Sequence, residues 1–419
     1  MTVAKRGATS SGKTKAGVLL ALVLPMAQAA GTKVAALADL SLEELGRIEV
    51  TSVSRRAERL SDAAASIFVI TSESIRRSGA TTLPEALRLA PNLQVTRLNA
   101  SQYAISARGF NNAIGNKLLV LIDGRTVYAP FFSGVFWDQQ DVMLEDVERI
   151  EVISGPGATL WGANAVNGVI NVITRSSADT QGGLVVLEGG NRERGAAFRY
   201  GGALGADGHF RLFAKTAKAD HTSTAAGARV ADGQERTHLG WRADWGEAAH
   251  GFTLQGDAYS AKTDDRGSLG PFRLGPIEVS GANLLARLTR RLDDGSDFRV
   301  QAYYDHTDRI DAFAFQPKER IFDIEFQHGL QLKAHRILWG GGYRQDRDDI
   351  RTGSFFGFVP PARTTRWKNL FIQDEFALGE HLNLVLGAKL ESNPFTGTES
   401  LPSARLEWKL SERSMVWSS

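Results

Sequence analysis

The chain from about Gly182 to its end alternates between apolar and polar positions with a period of two, in segments of roughly 9–13 residues separated by Gly, Asp and Asn turns. The apolar positions of three such segments are Leu239, Trp241, Ala243 and Trp245, then Phe298, Val300, Ala302 and Tyr304, and then Phe322, Ile324 and Phe326. A long run of such strands without helices, with a strongly polar second face, predicts an antiparallel transmembrane barrel with lipid outside and water inside. A soluble all-β domain also alternates and is the alternative interpretation.

Residues 57–176 carry a mixed pattern that predicts a compact α+β domain. ASIFVITSESI indicates a strand followed by the Ser/Glu-capped start of a helix, and TTLPEALRLAPNLQV indicates a helix with Pro84 in its first turn that is ended by Pro91. KLLVLIDGRTVY indicates a hairpin through an Asp-Gly turn. VERIEVISG and GVINVITR indicate two further strands around a glycine-rich loop. The predicted fold class is therefore an α+β domain followed by an all-β antiparallel barrel.

The N-terminal residues 1–29 have the layout of a secretory signal peptide. GATSSGKT, residues 7–14, matches the phosphate-loop pattern GxxxxGK[ST], but only six residues precede it, so the buried strand that a phosphate loop follows is missing. The basic residues Lys5, Arg6, Lys13 and Lys15 flank this stretch, and the apolar run Ala16–Leu24 and the small-x-small site Ala27-Gln28-Ala29 follow it. We expect residues 1–29 to direct Sec export.

The composition excludes several other classes of protein. The 419 residues contain no cysteine, so an exported chain of this sequence has neither disulfides nor thiolate metal sites. A net charge of +2 gives no overall field that would attract nucleic acid. The eight histidines are scattered, and neither HExxH, nor GxSxG, nor a carboxylate set at metal-ligand spacing occurs in the sequence. We therefore expect that the protein is not an enzyme and that it has no catalytic residue, no metal site and no cofactor.

EDVERIEVISGPGATLWGANAVNGVINVITR, residues 145–175, resembles the end of the plug domain of TonB-dependent outer-membrane receptors. TTLPEALRLAPNLQV, ISARGF (residues 105–110) and KLLVLIDGRTVY (residues 117–128) resemble other plug motifs of this family, in its order and spacing. The resemblance implies a periplasmic segment with a TonB box in residues 30–56, a plug in residues 57–176 and part of a barrel in residues 177–419. It also implies a monomer in the outer membrane of a Gram-negative bacterium, surrounded by its lipid.

The barrel is expected to be shorter than those of the family. Plugged barrels of this kind have about 22 strands. The roughly 240 residues after Gly182 provide about a dozen strands, at about 9–11 residues per crossing. We therefore expect a truncated barrel, and an inactive truncated receptor is one interpretation of the chain.

RIEVTSVS, residues 47–54, stands where the family keeps its TonB box, directly before the plug. The resemblance implies a box made of Ile48, Glu49, Val50, Thr51, Ser52 and Val53. A short extended segment of this kind can add itself as an edge strand to a periplasmic partner, with backbone hydrogen bonds supplying the grip. A plain strand of the plug is the competing interpretation.

Two plug arginines of the family are thought to pair with acidic residues of the barrel wall, and the matching residues here are Arg108 and Arg149. Forked guanidinium–carboxylate pairing suits this task, and Glu375 in FIQDEFAL is the candidate partner. An ordinary surface ion pair, worth about 0–1 kcal/mol, is the alternative.

The loop GPGATLWGANAVNG contains Gly155, Gly157, Gly162 and Gly168, and glycine permits positive φ angles and close approach of the backbone. A dinucleotide-binding loop of the form GxGxxG needs a glycine where Leu160 stands, so that interpretation fails. We expect a structural or gating role for these glycines.

Three plug segments, residues 97–103, 111–116 and 128–137, are expected to face an extracellular cavity. The residues that would form this ligand apex are Arg97, Tyr103, Phe110, Asn111, Asn112, Tyr128, Phe131, Phe132, Phe136 and Trp137. Aromatic surfaces with a few amides suit a large planar or chelated ligand. Packing of the rings against the barrel wall is an equal alternative.

The resemblance implies active uptake through TonB, which with ExbB and ExbD converts proton-motive force into pulling on the box. Ferric siderophores are the commonest cargo in the family, so a ferric siderophore is the first expectation, and cobalamin or haem is the second. A transducer that signals to an anti-sigma factor needs a further globular domain, for which residues 30–47 leave too little chain. A non-transporting adhesin or structural barrel, which needs no box, is the alternative of another class.

Overall fold

The structure, a computed structural model, describes residues 48–109, 111, 117–155, 158–162, 165–247, 249–411 and 414–419. The predicted signal peptide and residues 30–47 lie outside this part of the chain. Short strands and helices make up the first part of the described chain, and long strands make up the second part.

The first part, the plug, contains nine strands and three short helices within the described ranges. In chain order these are β1 (Glu49–Val50), β2 (Glu58–Arg59), β3 (Ser66–Thr71), α1 (Ser72–Ser78), α2 (Leu83–Leu87), β4 (Leu93–Arg97), β5 (Tyr103–Ala107), β6 (Leu118–Ile122), β7 (Arg125–Thr126), β8 (Val147–Ser154), α3 (Ala158–Trp161) and β9 (Gly168–Thr174). Single 3₁₀ turns lie at Leu60–Asp62, Leu144–Asp146 and Ala178–Thr180.

The second part contains the strands β10 (Gly182–Gly189), β11 (Glu193–Leu204), β12 (Gly208–Ala219), β13 (Gln234–Glu247), β14 (His250–Thr263), β15 (Ser268–Leu269), β16 (Phe272–Arg273), β17 (Ile277–Arg291), β18 (Asp297–Asp311), β19 (Phe315–Leu332), β20 (His335–Thr352), β21 (Ala362–Ala377), β22 (Leu382–Asn393), β23 (Gly397–Ser411) and β24 (Ser414–Ser418). Thirteen of these strands form one antiparallel sheet, called the wall here, in which each strand pairs with the next along the chain. The remaining two, β15 and β16, form a small hairpin in the loop between β14 and β17. Thirteen wall strands agree with the expectation of about a dozen.

The two longer helices of the plug begin where the sequence provides caps. Thr71 Oγ1 accepts a hydrogen bond from the backbone N–H of Ser74 at 3.2 Å and caps α1. Thr82 Oγ1 accepts one from the backbone N–H of Glu85 and caps α2, which has Pro84 in its first turn as predicted. None of the helices in the described ranges is long and apolar enough to cross a membrane.

The plug sheet has the strand order β3-β8-β9-β6-β7, with β6 and β9 parallel and the other neighbours antiparallel. The predicted turn between β6 and β7 has positive φ angles at Asp123 and Gly124, as a tight hairpin with this twist requires. Both faces of the sheet are covered, one by α1 and α2 and the other by the residues that precede β3. The side chains that pack on this second face include Ile48, Val50 and Val53.

The wall carries its apolar side chains outside and its polar side chains inside. Leu187 is 79% exposed and Leu370 is 61% exposed, whereas Asp346 is fully buried and His238 and Arg211 are nearly so. A soluble sheet packs its apolar face into the core, so this inverted pattern identifies a transmembrane barrel wall with a polar lumen. The alternative of a soluble all-β domain is thereby excluded.

The loops at the two ends of the wall differ in length. The connections at residues 205–207, 292–296 and 333–334, at one end, are all short. The opposite end has short connections at residues 190–192, 312–314 and 394–396, and it also has the long ones at residues 220–233, 264–276 and 353–361. Outer-membrane barrels place their short turns in the periplasm and their longer loops outside the cell. We call the second end the long-loop end.

Candidate functional site

The segment at residues 48–53, predicted to be the TonB box, is held under the plug sheet by the carboxylate of Glu151. The backbone N–H of Ser52 donates to Glu151 Oε2 at 2.8 Å, and the hydroxyl of Ser52 donates to the same oxygen at 2.5 Å. The backbone N–H of Thr51 donates to both oxygens of Glu151, at 3.1 and 3.2 Å. Glu151 lies on β8 and is completely buried. A buried carboxylate needs hydrogen-bond donors, and Thr51 and Ser52 supply them.

Further contacts fix the same segment. Trp161 Nε1 donates to the carbonyl oxygen of Ser52 at 2.7 Å, and Asn171 Nδ2 donates to its hydroxyl at 2.9 Å. Val50 and Val53 pack into the apolar cluster on the second face of the plug sheet. The strand β1 pairs with only two residues of β2. The segment is thus buried, yet a single short ladder and one carboxylate account for most of its polar contacts.

The end of α3 connects this segment to the wall. The side chain of Leu160 packs with Leu338 and Phe371 of the wall. The guanidinium of Arg55 lies 4.5 Å from the ring centre of Trp161 and 5.3 Å from that of Phe371. Side chains of α3 therefore contact both the N-terminal segment and the inner face of the wall.

The predicted pairing of Arg108 and Arg149 with Glu375 needs correction. Arg149 Nε donates to Glu151 at 2.8 Å, and the same guanidinium contacts Glu148, so both of its partners belong to the plug. Glu375 accepts from Arg336 Nη1 at 3.0 Å, and Arg336 is its direct neighbour in the register of β20 and β21. Arg108 lies beside Gly155. Arg149 and Glu375 therefore each have a partner other than the one predicted from the sequence, and the pairing of Arg108 stays a prediction.

Other ion pairs join the plug to the wall. Plug arginines pair with wall carboxylates at Arg97–Glu193 (2.6 Å), Arg125–Asp305 (2.5 Å) and Arg55–Glu325. Plug carboxylates pair with wall bases at Asp138–Arg309 (2.8 Å), Asp141–Lys215 (3.0 Å), Asp146–Arg199 (2.5 Å) and Asp62–Lys409 (2.8 Å). The plug and the wall therefore each contribute both acidic and basic residues to these ion pairs.

Sequence reasoning missed these pairs, although the sequence contains a signal for some of them. Asp138, Asp141 and Asp146 lie in WDQQDVMLED, an acidic stretch without a basic residue of its own. Such a stretch needs partners from elsewhere once it is buried. Burial works against ionisation of Asp141, yet Lys215 and Arg236 hold its pKa below the ordinary value.

Two of the four predicted loop glycines stand where a side chain does not fit. Gly162 has a φ of +80°, and a Cβ there would lie 2.8 Å from Lys389 Nζ of the wall. Gly168 lies in β9, and a Cβ there would lie 2.3 Å from the carbonyl oxygen of Ile153. Gly155 also has a positive φ, whereas Gly157 lies outside the described residues. The loop thus approaches the wall as closely as its backbone permits.

The aromatic residues predicted to form the ligand apex contact one another and the wall. The ring centre of Phe131 lies 5.9 Å from that of Phe315 and 6.2 Å from that of Phe358, both in the second part of the chain. Phe132 stacks on Phe136 with ring centres 4.0 Å apart. Packing against the wall therefore accounts for Phe131, and ligand binding by these rings stays a prediction.

The remaining apex residues are distributed over several contacts. Arg97 pairs with Glu193, Tyr103 donates through its hydroxyl to Glu85 at 2.8 Å, and Asn111 donates to Thr96. Trp137 is buried, whereas Tyr128 lines an internal cavity. Phe110 and Asn112 lie outside the described residues.

A cavity of about 610 Å³ lies between the plug and the wall. Its charged lining includes Arg55, Arg56, Asp123 and Arg149 of the plug and Arg287, Arg299, Asp323, Arg344, Lys389 and Glu391 of the wall. Burial lowers the pKa of Arg55 to about 10, an effect that the nearby Asp323 opposes. Ligand pockets of about 300–1,000 Å³ are usually lined by apolar groups, so this charged space is better suited to water and ions.

Glu58 gives the N-terminal segment a dependence on pH. Burial raises the pKa of Glu58 to about 7, and the wall carboxylates Glu375 and Glu407 add to the rise. Because this pKa lies above the ordinary value of 4.5, the stabilisation is complete below that value and is lost as the pH rises through about 7. We expect hydrogen exchange of residues 48–60, corrected for the intrinsic rate, to quicken between about pH 5 and about pH 8. Glu58→Gln should remove this dependence and the exposed Glu49→Gln should retain it; a dependence that persists in Glu58→Gln assigns it to another group.

Two family models together match most of the chain. The model described as TonB-dependent Receptor Plug Domain matches residues 59–169, and the model described as TonB dependent receptor-like, beta-barrel matches residues 173–419. The chain therefore belongs to the family of TonB-dependent receptors. The family consists of receptors and transporters and not of enzymes, in agreement with the prediction of no catalytic centre.

Individual relatives match parts of the chain. The vitamin B12 transporter BtuB of Vibrio vulnificus is 34% identical over 170 residues, which are 38% of this chain and 27% of that protein. The iron-regulated outer membrane virulence protein of Vibrio cholerae is 25% identical over 395 residues, which cover 86% of this chain and 57% of that protein. The chain spans less than two thirds of the length of each of these relatives.

Solved structures show the same fold. The ferripyoverdine receptor of the outer membrane of Pseudomonas aeruginosa, bound to ferripyoverdine, matches with a TM-score of 0.69 at 16% identity. This match covers 88% of the present chain and 58% of the receptor. At this identity the likeness concerns the fold alone, and it agrees with the predicted plug followed by barrel strands.

Proposed function

We propose that this chain forms the plug and a section of the wall of an outer-membrane receptor that imports a metal chelate, driven from the periplasm through TonB. The observation that carries the proposal is the segment at residues 48–53, which packs under the plug sheet and makes most of its polar contacts with that sheet through the carboxylate of Glu151. A segment of this kind can be released as a unit. The secretory signal predicted at residues 1–29 and the inverted polarity of the wall support an outer-membrane location.

Release of the segment would couple the two sides of the membrane. Ligand binding at the long-loop end must favour the released state, and by linkage a partner that grips the released segment then favours ligand binding. The backbone of residues 48–53 would add as an edge strand to TonB. ExbB and ExbD would supply the energy, since one charge moving through 100 mV yields about 2.3 kcal/mol.

The charged cavity between plug and wall fits such a mechanism. Where an ion pair borders water, its charged groups can be solvated when the pair separates, so the pair costs about 0–1 kcal/mol to break. Arg55, for example, contacts Glu325 beside the cavity. The plug can therefore loosen from the wall without exposing a large apolar surface.

A ferric siderophore is the proposed cargo. Relatives named as a ferric enterobactin receptor and a ferripyoverdine receptor support it. Cobalamin is the second candidate, favoured by the 34% identity to a vitamin B12 transporter. Aromatic rings at the long-loop end suit either of these large chelates, and no observation favours haem.

Uptake by the full chain with Glu49→Pro and with Glu49→Ala tests the proposal. Both variants remove the exposed carboxylate of Glu49, but only proline removes a backbone N–H that an added strand uses. Gram-negative cells that lack their own receptors would be given radiolabelled ferric siderophores and radiolabelled cobalamin. We expect Glu49→Ala to retain uptake of one of them and Glu49→Pro to lose it while ligand binding persists.

The opposite results would assign the chain to another class. Uptake that survives Glu49→Pro removes the role of residues 48–53. Binding to cell surfaces without uptake favours an adhesin or structural barrel. The absence of both uptake and binding in the unchanged chain favours an inactive truncated receptor.

A further inference from the structure

Three acidic side chains meet on the lumen face of the wall, outside the segment and the cavity described above. Asp346 and Asp348 are two positions apart on β20 and therefore share one face of the sheet. Glu319 of β19 lies directly opposite Asp348 in the register. One oxygen from each of the three residues lies within 4.8 Å of the others. We call Glu319, Asp346 and Asp348 the acidic cluster.

Four of the six carboxylate oxygens of the acidic cluster are buried with no hydrogen-bond partner among the described residues. The exposed fractions of Glu319, Asp346 and Asp348 are 7%, 0% and 5%. Within the described residues, Glu319 Oε1, both oxygens of Asp346 and Asp348 Oδ1 have no hydrogen-bond partner. Like charges directly opposite in a sheet are destabilising, and burial without partners increases this cost. The arrangement therefore calls for a compensating positive charge.

A further oxygen lies beside the acidic cluster on β21. Thr365 is the register partner of Asp346, so the two side chains share the lumen face of neighbouring strands. Thr365 is 3% exposed, and its Oγ1 is buried with no partner among the described residues. The cluster and this hydroxyl together present side-chain oxygens from three adjacent strands.

The nearest arginines are engaged elsewhere. Arg344 Nε donates to Asp323 at 2.8 Å, and Arg344 Nη2 donates to the hydroxyl of Tyr303 at 2.8 Å. Arg363 is the register partner of Asp348 on β21, but its guanidinium lies over the ring of Phe395, 5.0 Å from the ring centre. In the part of the chain that the structure describes, neither arginine forms an ion pair with the acidic cluster.

We propose that the acidic cluster and Thr365 bind Ca²⁺. An all-oxygen set is the kind of site that hard divalent cations occupy. Oxygens bound at about 2.3–2.6 Å from one Ca²⁺ are up to about 4.6–5.2 Å apart, so a spread of up to 4.8 Å fits without movement of the strands. Mg²⁺ demands near-octahedral geometry and usually keeps several of its waters instead of occupying a dedicated cage of protein oxygens, so a set of this kind suits Ca²⁺ better.

The location suggests what the ion does. The acidic cluster lies towards the long-loop end, since Asp348 is close to the end of β20 at Thr352 and the loop 353–361 follows. In an outer-membrane barrel this end faces the external medium, which supplies the ion. Bound Ca²⁺ would join β19, β20 and β21 below that loop. This role is independent of the cargo and of the TonB box.

Calcium titration of the full chain refolded in detergent tests the site, with the thermal midpoint and calorimetric binding as readouts. We expect Ca²⁺ to bind with a Kd on the order of 0.1–1 mM and to raise the midpoint, and Asp346→Asn to weaken binding at least tenfold. Asp349→Asn is the matched control, because Asp349 is on the same strand with its side chain exposed on the opposite face. It should leave the Ca²⁺ response unchanged.

The design separates direct coordination from the alternatives. Asp346→Asn removes one of the mutually repelling charges, so we expect it to fold at least as well as the parent chain without Ca²⁺. The same Ca²⁺ shift in the parent chain and in Asp346→Asn would overturn the proposal. An equal shift with Mg²⁺ or with sodium chloride of matched ionic strength would also overturn it. No shift at all would mean that a proton shared between carboxyl groups relieves the repulsion, which equally refutes the site.

Discussion

Replacing Asp146 with alanine is expected to weaken the attachment of the plug to the wall by about 3–5 kcal/mol, the usual cost of removing one partner from a buried charge pair. Asp146 Oδ1 accepts from Arg199 at 2.5 Å, and its Oδ2 lies 3.4 Å from Arg211 Nε. All three side chains are largely buried. Without Asp146, the guanidinium groups of Arg199 and Arg211 lose the carboxylate that they share.

The measurement is hydrogen exchange of β8 and β9 in the full chain, together with urea unfolding. Asp62→Ala is the matched control, because Asp62 also pairs with a wall base, Lys409, at 2.8 Å, but both side chains are well exposed. An exposed pair contributes about 0–1 kcal/mol, so the control should change exchange little. If Asp146→Ala and Asp62→Ala changed hydrogen exchange and unfolding equally, burial would not determine how much an ion pair contributes to the attachment of the plug.

Replacing Glu151 with alanine is expected to release the segment at residues 48–53. Hydrogen bonds to a charged acceptor contribute about 1.5–3 kcal/mol each, and Thr51 and Ser52 both donate to this carboxylate. Allowing for new bonds to water, we expect a loss of about 2–3 kcal/mol, or roughly a 30- to 150-fold rise in the released population. The chain has no cysteine, so Val50→Cys provides a single reporter at a fully buried position.

Maleimide labelling of this reporter should accelerate by that factor in the Glu151→Ala background. Glu148→Ala is the matched control, since Glu148 also contacts Arg149 but is half exposed and does not contact the segment. Labelling at the parental rate in Glu151→Ala would show that apolar packing of residues 48–53 holds the segment without the carboxylate. An equal acceleration in Glu148→Ala would assign the effect to Arg149.

Local rules in the sequence predicted the elements of the fold well. Pro84 in the first turn of α2 and the Asp123-Gly124 turn are decided by neighbouring residues, and each is found where the pattern places it. The start of α1 is also found where it was predicted, but its cap is Thr71 and not the predicted Ser and Glu. The wall strands follow the period-two alternation for the same reason. The alternation alone does not say whether the apolar face of the wall points outwards or into a core. That inference used the number of consecutive strands and the polarity of the second face, and the exposure of Leu187 and Leu370 confirms it.

Partner choice was not predictable in the same way. Arg149 and Glu151 stand two positions apart on one strand, so their pairing could have been inferred from the alternation of β8. The pairing of Glu375 with Arg336 depends instead on the register of β20 against β21, which is set by turns and packing far from either residue.

The acidic cluster illustrates the same limit. Asp346 and Asp348 are visible in RQDRDDI, but Glu319 joins them only through the register of the hairpin formed by β19 and β20. A search for metal-ligand spacing along the sequence therefore found nothing. Strands bring together residues whose separation in the sequence has no fixed value, unlike the two histidines of a helical zinc motif.

The contacts of α3 have a mechanical consequence. Trp161 donates to Ser52 and lies against Arg55, while Leu160 rests on Leu338 of the wall. Tension applied along the N-terminal strand from below would be carried to the central sheet through Glu151 of β8 and to the wall through Trp161 and Leu160. A pull on this strand would therefore load the plug and the wall together.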